Sequence, residues 1–250
     1  MRDALQAGTV TLTGHGGEAI EAYAAHRLDA RPTSGVVVIH HMPGFDDETK
    51  EITRRFAAWG YAAVCPNLHH RDAPGAAPDD ASAASRAAGG VPDDRFLGDV
   101  SGAVDYLRSL ENSTGKVGVI GFCSGGRQSV LAACNLRIDA AVDCYGAFVL
   151  TRAPEGLSLS VAPLADQLPD LGCPLLGLFG RDDSHPSPDE VAELDRLLTE
   201  RGKEHEFHSF EGAGHGFFAV NRPGYRVEAA QEGWELVRDF FGRHLGVPAS

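Results

Sequence analysis

Long apolar runs are missing from this 250-residue chain: no uninterrupted stretch approaches the roughly 18 residues that a membrane-crossing helix needs. The opening MRDALQAGTVTLTG likewise has no sustained apolar core behind a basic start, so a soluble, cytoplasmic protein is expected. Positive charge is also scarce. Against 22 Lys and Arg stand 35 Asp and Glu, a formal net charge of −13, and the field of such a molecule repels nucleic acid and anionic membrane surfaces alike. Both are excluded as partners, which leaves a small molecule. C-x-x-C pairs are absent, and the five cysteines (Cys65, Cys123, Cys134, Cys144, Cys173) are odd in number and scattered, against a disulfide framework or a zinc ribbon. Most read as small buried hydrophobes. No internal repeat is visible.

With 43% hydrophobic and 23% charged residues, the chain fits one α/β domain over residues 1–250. Short apolar runs alternate with segments of helical period, the pattern of a doubly wound, mostly parallel sheet with helices on both faces. Residues 9–13 and 19–25 alternate around Gly14–Gly17 and suit a hairpin at one sheet edge. Residues 36–40, 62–65, 117–120, 140–144, 175–179 and 206–210 are bounded by Gly, Pro or Asp, as central parallel strands tend to be. Helices are expected over 48–59, 94–110, 188–201 and 227–245, each with an apolar face. Two stretches, 66–92 and 145–171, read as irregular. Each follows a strand's C-terminal end, where open α/β sheets bind ligands, so both are expected as walls or a lid of one pocket.

The strongest chemical signal is Gly121-Phe122-Cys123-Ser124-Gly125, set between a strand and an apolar helical run. A nucleophile elbow turns from strand to helix so sharply that side chains beside the nucleophile collide; small residues there strain and expose the central one. Here that residue is a cysteine. At a helix N-terminus its thiolate is stabilised, and the Ser124 N–H becomes a natural oxyanion donor. A lone cysteine is more often an inert core residue; the strand before, the helix after and the ordered partners downstream tip the balance toward catalysis.

Those partners are an acid and then a histidine. Gly180-Arg181-Asp182-Asp183 follows residues 175–179, and Gly212-Ala213-Gly214-His215-Gly216 follows residues 206–210. One strand–helix–strand unit separates them, which would bring carboxylate and imidazole to neighbouring loops. Asp183 is the chosen acid, with Asp182 in reserve, since either could be an ordinary turn residue. His215 is expected on a flexible glycine-rich tip. In this arrangement the imidazole accepts the thiol proton, the carboxylate fixes its tautomer, and the thiolate attacks a carbonyl, giving a thioester that hydrolyses.

With GFCSGG at the elbow, the turn at Gly180–Asp183 and GAGHGF at the histidine, the sequence resembles the dienelactone hydrolases, or carboxymethylenebutenolidases, of the α/β-hydrolase superfamily. The resemblance spans most of the chain. It implies cytosolic, cofactor-free opening of a dienelactone or similar small lactone or ester by the triad Cys123, Asp183 and His215, in aromatic degradation. It also places the second oxyanion amide on Met42. Where well-known members have a glutamate that helps deprotonate the cysteine, this chain has His41, and the position four after the histidine is Ala219 rather than an arginine. Arg222 and Arg86 are the candidates for gripping a substrate, with His41 and His70 as pocket-lining candidates; each could equally be a solvated or wall residue. The pairs His40-His41 and His69-His70 lack ligand spacing such as H-x-x-x-H, so no metal is expected. Two other readings stand beside the hydrolase: a noncatalytic small-ligand-binding module on the same scaffold, and a metal-dependent hydrolase. The oligomeric state is open.

Overall fold

The computed structural model describes residues 4–29 and 31–246. Eight strands form one sheet: β1 (Leu5–Thr13), β2 (Ala19–Arg27), β3 (Thr33–Ile39), β4 (Ala62–Pro66), β5 (Ser113–Phe122), β6 (Ala140–Cys144), β7 (Leu175–Gly180) and β8 (His205–Phe210). Their order is β1-β2-β4-β3-β5-β6-β7-β8. Only β2 runs against its neighbours, pairing antiparallel with both β1 and β4; every pair from β4 to β8 is parallel.

Successive residues of a strand face opposite sides, so a strand covered on both faces reads as an unbroken apolar run. In β3, Val37 and Ile39 pack into one core and Val36 and Val38 into the other. Helices α3 (Asp93–Ser109), α4 (Ser124–Asn135) and α5 (Pro188–Glu200) cover the first face; α1 (Asp47–Ala58) and α6 (Val227–Leu245) cover the second. Local chemistry sets their ends. Asp46 caps α1 by accepting from Thr49 N, Gly60 stops it at φ 98°, and Ser187 and Glu190 form a capping box on α5.

Three expectations need correction. The stretch 66–92 is not irregular throughout, since it contains α2 (Pro78–Ala87), which starts on a proline and buries only Ala81, Ser82 and Ser85. With no large apolar residue on its buried side, it has no hydrophobic period to read. Strand β8 is not central: it is the far sheet edge, mostly half-exposed. The third concerns the strand ending at His40, for β3 stops at Ile39. Residues 145–171 hold one 3-10 turn, Leu168–Asp170. Strand order reverses between β3 and β5, and ligands of open α/β sheets bind at the strands' carboxyl ends beside such a switch point.

Candidate active site

Cys123 sits at that switch point, between the end of β5 and the first residue of α4, with φ 56° and ψ −117°. A non-glycine residue in this region is strained, and the surroundings must hold it there. The flanking glycines do so by close approach. A Cβ on Gly121 would lie 1.8 Å from Gly125 O, and one on Gly125 would lie 2.4 Å from Ile39 O. Cys123 N donates to Cys144 O at 3.0 Å, tying the elbow to β6. The other thiols differ in environment: Cys65, Cys144 and Cys173 are buried, and burial pushes Cys134 up to about 11 and Cys173 to about 12.

Asp183 and His215 come from the loops after β7 and β8. Their backbones touch, since a Cβ on Gly180 would stand 2.3 Å from Ala213 O, and Asp182 N donates to the same carbonyl at 2.9 Å. His215 Nδ1 stands 2.8 Å from Asp183 Oδ2, while Asp183 Oδ1 accepts from His185 N at 2.9 Å. Asp183 is buried and Asp182 exposed. Burial works against a proton on His215, but the Asp183 carboxylate and the Cys123 sulfur, both hydrogen-bonding neighbours of the ring, push it up to about 10. Water screens part of this field, because the imidazole is 39% exposed. Despite its glycines the histidine loop is anchored: Phe217 and Phe218 are buried and stacked at 4.7 Å, and Arg226 N donates to Phe217 O.

Beside Cys123 lies a cavity of about 100 Å³. Met42 and Ser124 line it; its apolar walls include Leu68 and Val91 from the stretch 66–92, and Phe148, Leu159 and Val161 from 145–171. Of the four histidines in the two pairs, His40 and His69 line it. His41 instead places Nε2 2.9 Å from Asp46 Oδ2, in a group with Glu48 whose ligand-type atoms lie within 4.8 Å of one another. These atoms are largely engaged: Asp46 also takes the Thr49 amide and hydroxyl, and Glu48 accepts from Val220 N. Arg86 is exposed, donating to Met42 Sδ at 3.3 Å and Ser82 Oγ at 3.1 Å, which sets it beside the cavity wall. Arg222 is exposed and acts on Glu48 through its charge. His70 is half-buried, with Nδ1 unpartnered.

Sequence reasoning missed several residues. His40 is 2% exposed, donates from Nδ1 to His41 O at 2.8 Å and accepts from Leu68 N at 3.1 Å; burial and His69 hold it near 3, hence neutral. Tyr145 sets its ring edge against His215, 5.2 Å between centroids. Asp143, fully buried, accepts from Gly146 N at 2.7 Å. Arg127, 3% exposed, grips Asp93 through Nη1 and Nη2 at 2.9 and 3.0 Å and Ala162 O at 2.7 Å. Its position one helical turn beyond Cys123 was the only available hint.

A strained elbow on a mostly parallel sheet, with acid and histidine on the loops of the last two strands, defines an α/β-hydrolase. The profile of the dienelactone hydrolase family matches residues 20–245, and the chain belongs to that family of carboxylic ester hydrolases. The carboxymethylenebutenolidase of Pseudomonas putida is 30% identical over 240 residues, covering 90% of this chain and 94% of its own. A Methylorubrum extorquens protein provisionally named carboxymethylenebutenolidase is 32% identical over 233 residues, 91% of this chain and 78% of its own. A crystal structure of a provisionally named dienelactone hydrolase from Klebsiella pneumoniae superposes with a TM-score of 0.85 at 27% identity, covering 96% of this chain and all of that one. Among the described residues no helix is long and apolar enough to cross a membrane.

Proposed function

We propose that the chain opens a dienelactone or similar small lactone or ester through Cys123, His215 and Asp183. The Cys123 proton passes to His215 as sulfur attacks the carbonyl carbon; the tetrahedral oxyanion is received by the backbone N–H groups of Ser124 and Met42. As it collapses, the C–O bond breaks and the leaving oxygen takes the proton back from His215. Water, deprotonated by His215, then hydrolyses the thioester and returns the thiol. Asp183 keeps the imidazole in one tautomer throughout. A thiolate expels alkoxide or enolate more readily than an amine, so esters and lactones suit this site better than peptides.

The observation that carries this reading is the 2.8 Å contact between His215 Nδ1 and the buried Asp183, with the Cys123 sulfur at the same ring. Relatives that carry the carboxymethylenebutenolidase name support the lactone. The test is steady-state and burst kinetics on a chromogenic ester: Cys123→Ala is expected to lower kcat by at least about a thousandfold and abolish the burst. Undiminished turnover would overturn the assignment.

A further inference from the structure

The backbone of the His215 loop is anchored, but the imidazole itself has few supports. Its Nδ1 stands 2.8 Å from Asp183 Oδ2, and its other hydrogen-bonding neighbour, the Cys123 sulfur, is the atom with which it must exchange a proton. Gly212, Gly214 and Gly216 on the same loop carry no side chain that could brace it. A ring fixed through one hydrogen bond can still tilt about it, and with the imidazole 39% exposed, water gives no support on the open flank. On the buried flank stands Tyr145. The two rings meet in a T-shaped contact, 5.2 Å between centroids at 64°, and among the described residues no other aromatic ring touches His215.

Tyr145 is itself immobilised. It is 2% exposed, its N–H donates to Leu178 O on β7 at 2.9 Å, and its ring also meets Phe217 and Phe218 of the histidine loop at 5.2 and 6.2 Å. Its φ is 45°, a left-handed value that is an outlier for an aromatic residue and persists only where the surroundings impose it. The other non-glycine residues with positive φ among the described ones are Phe45, Cys123 and Phe148. Cys123 and Phe148 line the cavity and Phe45 packs on its His40, so the strain gathers around the nucleophile. Burial, with Cys144, Cys123 and Glu48 nearby, pushes the phenol well above its usual range, so it stays neutral and does not compete as a base.

We propose that Tyr145 is a positioning residue for the proton transfer: its ring is the rigid wall that keeps the His215 imidazole on the line from Asp183 to Cys123. The proposal rests on the hydrolase reading above and adds a residue which that reading does not use. A displacement of about 1 Å at a reacting group costs on the order of a hundredfold in rate. His215 handles a proton in both halves of the cycle, so the wall serves the attack of sulfur and the later attack of water alike.

The experiment compares Tyr145→Leu, which removes the wall, with Tyr145→Phe, which keeps it, and with Phe240→Leu, a similarly buried ring on α6 that meets Phe241 and His244 instead. On 4-nitrophenyl butyrate, Tyr145→Leu is expected to lower both the burst rate and kcat by about ten- to a hundredfold, with KM changed by less than about threefold. Tyr145→Phe is expected to keep most of both rates, and Phe240→Leu to lose Tm but neither rate. A purely structural loss would instead lower the burst amplitude, by unfolding part of the sample, and leave the rates alone. By NMR, an NOE is expected between the Tyr145 and His215 rings of the wild type. The downfield resonance of the Nδ1 proton shared with Asp183 is expected to vanish into exchange in Tyr145→Leu and to remain in Tyr145→Phe. Unchanged rates or a surviving resonance in Tyr145→Leu overturns the proposal, as does an equal fall in Tyr145→Phe or Phe240→Leu. A wild type without the NOE overturns it even where the leucine variant does not fold. Should Cys123→Ala turn the ester over undiminished, the hydrolase reading falls by itself, and the NOE and the resonance then judge the wall independently of turnover.

Discussion

Asp143 is a carboxyl group with 0% exposure, and beside Gly146 N its second oxygen, Oδ2, has no partner. Burial raises it to about 7, outweighing the Gly146 amide and the charge of His215. In the unfolded chain an aspartate releases its proton near 4. Between about pH 4 and 7, therefore, the folded state binds more protons than the unfolded one, and stability declines as pH rises through that window. Above it the full penalty persists, on the order of a few kcal/mol. Asp143→Asn keeps an acceptor for Gly146 N and removes the titration. Its Tm is expected to exceed that of the wild type at pH 8, the difference shrinking toward pH 4.5. Thermal melts across that range check this, and a difference independent of pH would refute it.

Among the elements, the elbow depends on absent side chains. Gly125 is the second residue of α4, and a Cβ there would press on the Ile39 carbonyl, a backbone atom that cannot move aside without shifting β3. Gly125→Ala is expected to cost on the order of 3 kcal/mol in urea unfolding. Gly8→Ala, in β1 with nothing within 4 Å of the added carbon, should change stability by less than about 0.5 kcal/mol. The contrast shows which parts of the fold are legible. Cys123, Asp183 and His215 could be picked out because each sits in a glycine-marked turn after a strand; Gly121, Gly125 and Gly180 answer to close backbone approaches, and Gly212 and Gly216 to positive φ. Helix α2 was hidden because it buries only alanine and serine. His40 and His69, rather than His41 and His70, line the cavity; which member of a His-His pair faces inward depends on where the strand stops, and β3 stops one residue early. Arg127 and Asp143 looked like ordinary helix and strand residues, since their roles come from partners 34 and 3 positions away that no local pattern names.

For the whole molecule, the five thiols sort by environment. Three are buried, Cys134 is half-buried with its thiol pushed up to about 11, and Cys123 lines a cavity with the His215 imidazole beside it. Thiolates are the species that alkylate. Brief treatment of the native protein with iodoacetamide at pH 7 is therefore expected to modify Cys123 well ahead of the other four, and His215→Ala is expected to slow that labelling; peptide mass mapping reads both. Equal labelling of Cys134 would contradict this ranking. The acidic surface bears on the same cavity, because its long-range field keeps anions dilute at the mouth while leaving neutral esters unaffected.

The Arg127 guanidinium fastens helix α3, through Asp93, and the segment after β6, through Ala162, to the helix that follows Cys123. Anyone reshaping this enzyme for bulkier acids thus has unequal routes. Trimming Leu159 or Val161 enlarges the chamber from a stretch outside the sheet. Replacing Arg127 would unfasten two walls at once and strand an acidic group, so widening and collapse would arrive together.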